Sequence, residues 1–366
     1  MDIKAHLVSP MRVVHVRVDH ASVTDKLCRY IKEGLAPLGI THLVIEFNPG
    51  YVFTCFPELS SGDFGKEQAQ QVAAAAREVG IKIIPLFMCL GHQGWRLETS
   101  MLLKVYPEFI ERPHLPKEVE HMPPDLFFYC HSWCASNDKV YDYVFPMIDE
   151  IMADFGADMV HVGMDEVFDL AESTCPRCSG KTRPFLFART VNILHDHIVR
   201  EKGWGMMMWA DRLNEAKAFG YHAWEGDIWD TWKAIDLIPK DIIMADWHYD
   251  MNEQGFRGIE RFIEKGFTVL PAAWRKLEQT KFLLKEALKW RDSGKEKGFS
   301  GVMAGMMVTS WNRCTEDFLD KMLPMLQERI SVVPEEPEDA EAARRSPAGI
   351  AASVVYMAEA LKDYVP

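Results

Sequence analysis

The chain has no long apolar run. No stretch approaches the roughly 20 apolar residues that cross a bilayer, so no membrane-spanning helix is expected. The opening MDIKAHLVSPMRVV lacks an apolar signal-peptide core, which predicts a cytoplasmic protein, with a trimmed signal peptide as the alternative. Positive charge is in short supply. With 41 Lys and Arg against 54 Asp and Glu the formal net charge is −13, so electrostatic binding to nucleic acid or an anionic membrane is not expected. Cysteine is sparse and scattered: eight residues in 366, unlike a small disulfide scaffold, and reduced thiols are the simplest reading. No Gly-rich phosphate loop follows the first apolar strand, no solenoid repeat is visible, and no H-E-x-x-H cluster occurs.

What the chain has is alternation. Short apolar runs at Arg12–Val18, His42–Phe47, Ile81–Phe87, Met159–Gly163, Gly205–Trp209, Asp241–Asp246, Phe267–Pro271 and Gly301–Thr309 read as strands. Helical patterns lie between most of them, at Thr24–Leu38, Lys66–Val79, Lys139–Phe155, Pro184–Glu201, Phe256–Lys265, Leu277–Lys289 and Glu316–Ile330. Buried strands alternating with helices imply a parallel sheet covered by helices. Eight such units predict an α/β chain folded as a (β/α)8 barrel over residues 1–332. An open doubly wound sheet is the alternative, but it would want the missing phosphate loop. The Pro- and charge-rich segment 333–345 reads as a solvated linker, and 346–366 as a final amphipathic helix packed on the barrel or on a partner.

Barrel active sites sit at the C-terminal ends of strands, and the strand ends here are distinctive. The second gives Glu46-Phe-Asn48, the third Gly91-His92-Gln-Gly-Trp95, the fourth Asp165-Glu166 and the fifth Trp209-Ala-Asp211. The sixth gives Trp247-His-Tyr249-Asp250, the seventh Trp274-Arg275 and the eighth Trp311-Asn-Arg313. A Trp at the same end of four successive strands describes a pocket with apolar walls and a few polar groups at its base. Such walls suit a sugar ring, whose C–H faces stack while its hydroxyls hydrogen-bond. The run His161-Val-Gly-Met-Asp165-Glu166 carries most of the chemistry. Two adjacent carboxylates repel, which should raise one pKa and allow an acid and a base to coexist near neutral pH. An acidic pair at a helix start is the ordinary alternative. Met206-Met-Met208 reads as core, and His161 as a satisfied core histidine.

At this point the chain resembles the family 20 glycoside hydrolases, the β-N-acetylhexosaminidases. Their strand-four motif H-x-G-x-D-E is matched by His161, Gly163, Asp165 and Glu166. Gly91-His92 is similar to the family's strand-three Gly-His, Trp209 and Trp311 to its strand-five and strand-eight tryptophans, and Tyr249 to its pocket tyrosine. Arg17 is nearest to the strand-one arginine that holds sugar hydroxyls. The resemblance runs over residues 12 to 331 and points to the compact, barrel-only branch. It implies a retaining exo-β-N-acetylhexosaminidase that releases terminal GlcNAc or GalNAc from glycans by substrate-assisted catalysis. Glu166 would be the general acid, and Asp165 would hold the N–H of the substrate's 2-acetamido group. Tyr249 would bond the acetamido oxygen, while His92, with Glu46, would tune Glu166. Trp209, Trp247, Trp274 and Trp311 would form the walls. No cofactor is required by this chemistry. Two further readings stay open: a metal-dependent hydrolase on the same barrel, using His92, Asp165 and Glu166 as ligands, and an amino-sugar-binding protein without turnover. A homo-oligomer is compatible with all three.

Two cysteine pairs complete the reading. Cys175-Pro-Arg-Cys178 follows strand four, and Cys130-His-Ser-Trp-Cys134 lies in the long loop after strand three. Adjacent loops of a barrel meet at one face, so Cys130, Cys134, Cys175 and Cys178 could form a tetrahedral structural zinc site, with His131 as a substitute ligand. Free thiols or disulfides are the alternatives.

Overall fold

The structure is a computed structural model and describes residues 10–47, 50–95, 98–112, 131–312, 314–333 and 346–364. Eight parallel strands form a closed barrel. They are β1 (Met11–Val18), β2 (His42–Phe47), β3 (Lys82–Cys89), β4 (Met159–Gly163), β5 (Gly205–Trp209), β6 (Ile242–Trp247), β7 (Thr268–Ala273) and β8 (Gly305–Val308, preceded by the short Val302–Met303). Closure runs through β1 and β8, with Met11 opposite Gly305 and Val14 opposite Val308. Gly305 allows this seam: a Cβ there would lie 2.1 Å from the Met11 carbonyl oxygen. The ladder between β3 and β4 slips between Leu86 and Cys89, so these two strands end out of step. That irregularity lies directly below the acidic pair.

Alternate residues of each strand face inward. Val13, Val44, Ile84, Leu86, Met207, Ile243, Leu270 and Met307 fill the interior, with Trp209 among them. Their neighbours face the surrounding helices: Met206 and Met208 belong to that outer core, while Met207 is inside. The helix Lys66–Glu78 packs with Tyr141–Phe155, and Arg257–Glu264 with Leu277–Glu296. After β5 the covering is a turn of helix at Ala216–Phe219 and a 3-10 stretch at Thr231–Asp236, in keeping with the absence of a helical pattern there.

The helix Pro347–Ala360 packs between the helices Leu277–Glu296 and Glu316–Gln327. It differs from the amphipathic helix expected, because residues from Ala348 to Val355 are buried on every side. Its small residues permit the close fit. A Cβ on Gly349 would lie 2.0 Å from the Arg275 carbonyl oxygen, and the Thr280 hydroxyl donates to Ser353 Oγ at 2.9 Å. The linker read at 333–345 lies outside the described residues except for Val333, as do Cys130, Asn48 and Arg313. No helix among the described residues is long and apolar enough to cross a membrane.

Candidate active site

A cleft of about 1500 Å³ opens at the C-terminal ends of the strands. Arg17, Glu46, His92, Asp165, Glu166, Trp224, Trp247, Tyr249, Trp274 and Trp311 all face it. Strand-end logic therefore gathers residues that lie up to 294 positions apart in the chain (Arg17 to Trp311).

The acidic pair is presented by a backbone that has left strand geometry. Successive strand residues point to opposite faces, so two neighbours can share a cleft only if the chain turns between them. It does so in the left-handed region: φ is +67° at Gly163, +75° at Met164 and +47° at Glu166. Across the slipped ladder, Leu90 (+61°) and His92 (+54°) adopt it too. Four non-glycine residues in this region imply a cost of about 1–2 kcal/mol each, held by the surrounding packing. Gly91 lets the two turns touch: a Cβ there would sit 2.6 Å from the Asp165 carbonyl oxygen.

This geometry focuses both carboxylates on one imidazole. His92 Nε2 lies 3.1 Å from Asp165 Oδ2 and 2.9 Å from Glu166 Oε2. Burial raises the Asp165 carboxyl above its usual range; His92 opposes the shift, and the charges of Glu166 and Glu46 add to it. Asp165 is thus a raised carboxyl, by burial first and by mutual repulsion second. Glu46 goes the other way. Burial raises it, but its hydrogen bond to His15 (3.1 Å) and the charges of His15, Arg17 and His92 win, and its carboxyl is held low.

A third carboxylate supports the pair from beneath. Asp211 accepts the Glu166 backbone N–H at 3.0 Å and the Arg212 Nε at 2.7 Å, with the Trp247 indole N–H at 3.4 Å. Burial pushes it up to about 6, against the opposing charge of Arg212. Its sequence signal was its place two residues after Trp209, which marked a strand end and nothing about a partner. His161 is buried, and its Nδ1 accepts the Gly163 N–H at 3.0 Å, while burial lowers its pKa well below the ordinary value. It is a neutral core group that holds the turn into the acidic pair.

The aromatic residues divide into wall and floor. Trp247 stacks on Tyr249 with centroids 5.0 Å apart, and Trp274 meets Tyr249 edge-on at 5.6 Å. The Trp311 indole N–H donates to the Tyr249 hydroxyl at 2.8 Å. An indole N–H can only donate, so the phenol oxygen is the acceptor and its own proton remains available to a group in the cleft. Trp209 is not on the wall. It is fully buried one layer below, against His161 (4.4 Å) and Trp311 (5.7 Å), because inward-facing positions of the last strand residue point into the barrel core. Trp224 takes a wall position instead, braced edge-on by Phe168 at 5.1 Å. It sits in the loop after β5, away from any strand end, so strand-end logic passes over it. Of the four cysteines read as metal ligands, Cys134, Cys175 and Cys178 come together and Cys130 lies outside the described residues.

Paired carboxylates under an aromatic wall at the C-terminal mouth of a barrel are the make-up of a carbohydrate-processing barrel. The family assignment is direct: the catalytic-domain profile of glycosyl hydrolase family 20 matches residues 52–324, and the chain belongs to that family. Among characterised proteins it is 25% identical over 263 residues to beta-hexosaminidase A of Caenorhabditis briggsae, and 23% identical to its Caenorhabditis elegans counterpart. Each alignment covers 69% of this chain and 42% of the relative, so the chain matches less than half the length of those proteins. Among solved structures it resembles a Flavobacterium johnsoniae chitobiase (TM-score 0.59, 15% identity, 95% of this chain and 52% of that one). It also resembles a Bacteroides fragilis β-N-acetylhexosaminidase (TM-score 0.57, 15% identity, 92% and 68%). At these identities the structural likenesses speak for the fold.

Proposed function

We propose that this chain is a retaining exo-β-N-acetylhexosaminidase acting through the substrate's own acetamido group, and that terminal GlcNAc or GalNAc residues of glycans are its substrates. The observation that carries this reading is the convergence of Asp165 and Glu166 on His92 at the mouth of an aromatic-walled cleft. In the proposed reaction the acetamido oxygen attacks the anomeric carbon while Glu166 gives its proton to the departing glycosidic oxygen. The positive charge that develops on the bicyclic oxazolinium is shared with the amide nitrogen, whose N–H faces Asp165. A donor there adds to His92 a second partner that favours the charged form of the raised Asp165 carboxyl. Glu166, now a carboxylate, then takes a proton from water, which attacks the same face and leaves the β-configuration intact. Tyr249 donates its free proton to the acetamido oxygen and orients it. Arg17, whose Nε has no hydrogen-bond partner among the described residues, would hold sugar hydroxyls. Nothing in this sequence of steps uses a metal. The cytoplasmic setting read from the sequence belongs to the same proposal.

The test is turnover of 4-nitrophenyl N-acetyl-β-glucosaminide and its galacto epimer against 4-nitrophenyl β-glucoside. Activity confined to the N-acetylated sugars, with tight inhibition by a thiazoline mimic of the bicyclic intermediate, is expected. Equal rates on the plain glucoside, or a covalent sugar trapped on a carboxylate by a 2-fluoro substrate, would refute the mechanism. Binding of the sugars without turnover would leave the protein an amino-sugar receptor.

A further inference from the structure

One cluster of ligating side chains takes no part in this chemistry. Glu111 and Cys134 come from the long loop after β3, Cys175 and Cys178 from the loop after β4, and all four are buried. Their sulfur and carboxylate oxygen atoms lie within 4.8 Å of one another. Cys134 Sγ is 3.6 Å from Cys175 Sγ and 3.4 Å from Cys178 Sγ, and Cys178 Sγ is 3.1 Å from Glu111 Oε2. A disulfide needs about 2.05 Å and would leave the third thiol buried against a carboxylate. Four ligands around one ion account for the distances better. With metal–sulfur bonds of about 2.3 Å, the edge of a tetrahedron is about 3.7 Å, slightly less where oxygen replaces sulfur.

Backbone N–H groups face two of the sulfurs. The Ser136 N–H hydrogen-bonds the Cys134 sulfur, and the N–H groups of Arg177 and Cys178 are directed at the Cys175 sulfur. Donors aimed at sulfur favour its charged form. Positive charge is near: Lys181 donates to Ser136 Oγ, which lies 3.4 Å from Cys178 Sγ, and Arg177 belongs to the Cys-Pro-Arg-Cys turn itself. Ionised together, three buried sulfurs and a carboxylate facing one point would need a cation between them.

We infer that Glu111, Cys134, Cys175 and Cys178 bind one structural zinc ion that staples the loop after β3 to the loop after β4. Soft thiolates in a tetrahedral array select zinc, and four protein ligands close the site to substrate. Iron–sulfur clusters take four thiolates, one more than this site offers. The staple lies next to the acidic pair. Glu111 Oε1 also accepts the Glu172 N–H (3.1 Å) and Arg112 pairs with Asp169 (3.0 Å), three residues past Glu166. On the other loop, Gln93 N–H donates to His131 O (2.8 Å) and Trp133 N–H to Leu90 O (3.1 Å), so the chain around His92 is tied to the segment that carries Cys134. The metal therefore acts as a positioning element for His92 and Glu166.

The experiment uses the full chain purified from zinc-supplemented cells and dialysed against a chelator. Elemental analysis should give about one zinc per chain, and X-ray absorption at the zinc edge about three sulfurs near 2.3 Å and one oxygen near 2.0 Å. Cys175→Ser, Cys178→Ser and Glu111→Ala should each cut the retained metal about tenfold or more, and Cys130→Ser should not. Should the cysteine variants fail to fold, the unaltered protein decides: an organomercurial should release one zinc as three thiols are consumed. Less than about a tenth of an equivalent of zinc, iron in its place, or full retention in Cys175→Ser overturns the site. A fourth sulfur in the absorption spectrum, with loss of metal in Cys130→Ser, overturns the assignment of Glu111.

Discussion

Replacing Glu166 by Gln removes one proton and little else. The side chain keeps its length, its Oε can still meet His92 Nε2 at the present 2.9 Å, and the backbone N–H that binds Asp211 at 3.0 Å is untouched. The left-handed φ of +47° is no harder for Gln than for Glu, so the variant should fold with its cleft intact. A positioned general acid contributes about 10²–10⁴-fold, equivalent to about 3–5 kcal/mol of barrier at 1.36 kcal/mol per decade. That full loss is expected only where the leaving group needs the proton. For N-acetyl-β-glucosaminides of alcohols, kcat/KM should fall by the whole factor. For dinitrophenyl or nitrophenyl leaving groups, which depart as stable anions, it should fall much less. The measurement is a plot of log kcat/KM against leaving-group pKa for both proteins. A steeper slope in Glu166→Gln supports the acid role. Two parallel lines, however far apart, would mean that Glu166 acts on sugar binding or on the charge of its neighbours and that the acid lies elsewhere.

Four further outcomes follow from the geometry. Tyr249→Phe removes the donor to the acetamido oxygen together with the acceptor of the Trp311 indole N–H, and should lower kcat about 10²–10³-fold; an equal fall for a substrate without the acetamido group would contradict the donor role. Gly91→Ala forces the Asp165 turn outward from a 2.6 Å contact, and a displacement of about 1 Å should cost about 10²-fold in kcat, read against a folded circular-dichroism spectrum. Trp209→Ala should destabilise the fold by about 3–5 kcal/mol in urea, while Trp311→Ala should raise KM more than it lowers stability; the reverse pattern would return Trp209 to the wall. His248 is buried, and although burial opposes its charge, Asp246 and Glu225 raise it to about 9. A histidine whose pKa is higher folded than unfolded stabilises fully below about 6.5 and loses that contribution as pH rises through about 9. Unfolding free energy should therefore drop by on the order of 3 kcal/mol across that window, and His248→Phe should flatten this drop.

How much could be read in advance depended on how local the cause was. The bounds of β4 and β5 coincide with the apolar runs at Met159–Gly163 and Gly205–Trp209, since strands buried on both faces are apolar throughout. Trp247, Tyr249, Trp274 and Trp311 were legible because barrel topology places every strand end at one mouth. Trp209 was not, because a residue at the last ladder position can face either the core or the cleft, and only the barrel interior decides which. Trp224 and Glu111 lie in loops without periodicity, so no pattern announces them. The slipped register between β3 and β4 is likewise invisible in a run such as Lys82–Cys89, which reads the same in either alignment.

Leu90 and Met164 sit buried at that slip with left-handed backbones that cost a branched or bulky side chain more than they would cost glycine. A selection for thermal resistance alone would accordingly find glycine at these positions attractive, provided the lost side-chain packing were refilled. The same change would release the rotation that aims His92 and Glu166 at each other. Heat tolerance and turnover should then separate along this one seam, and the barrel's least comfortable residues are the ones an engineer should leave alone.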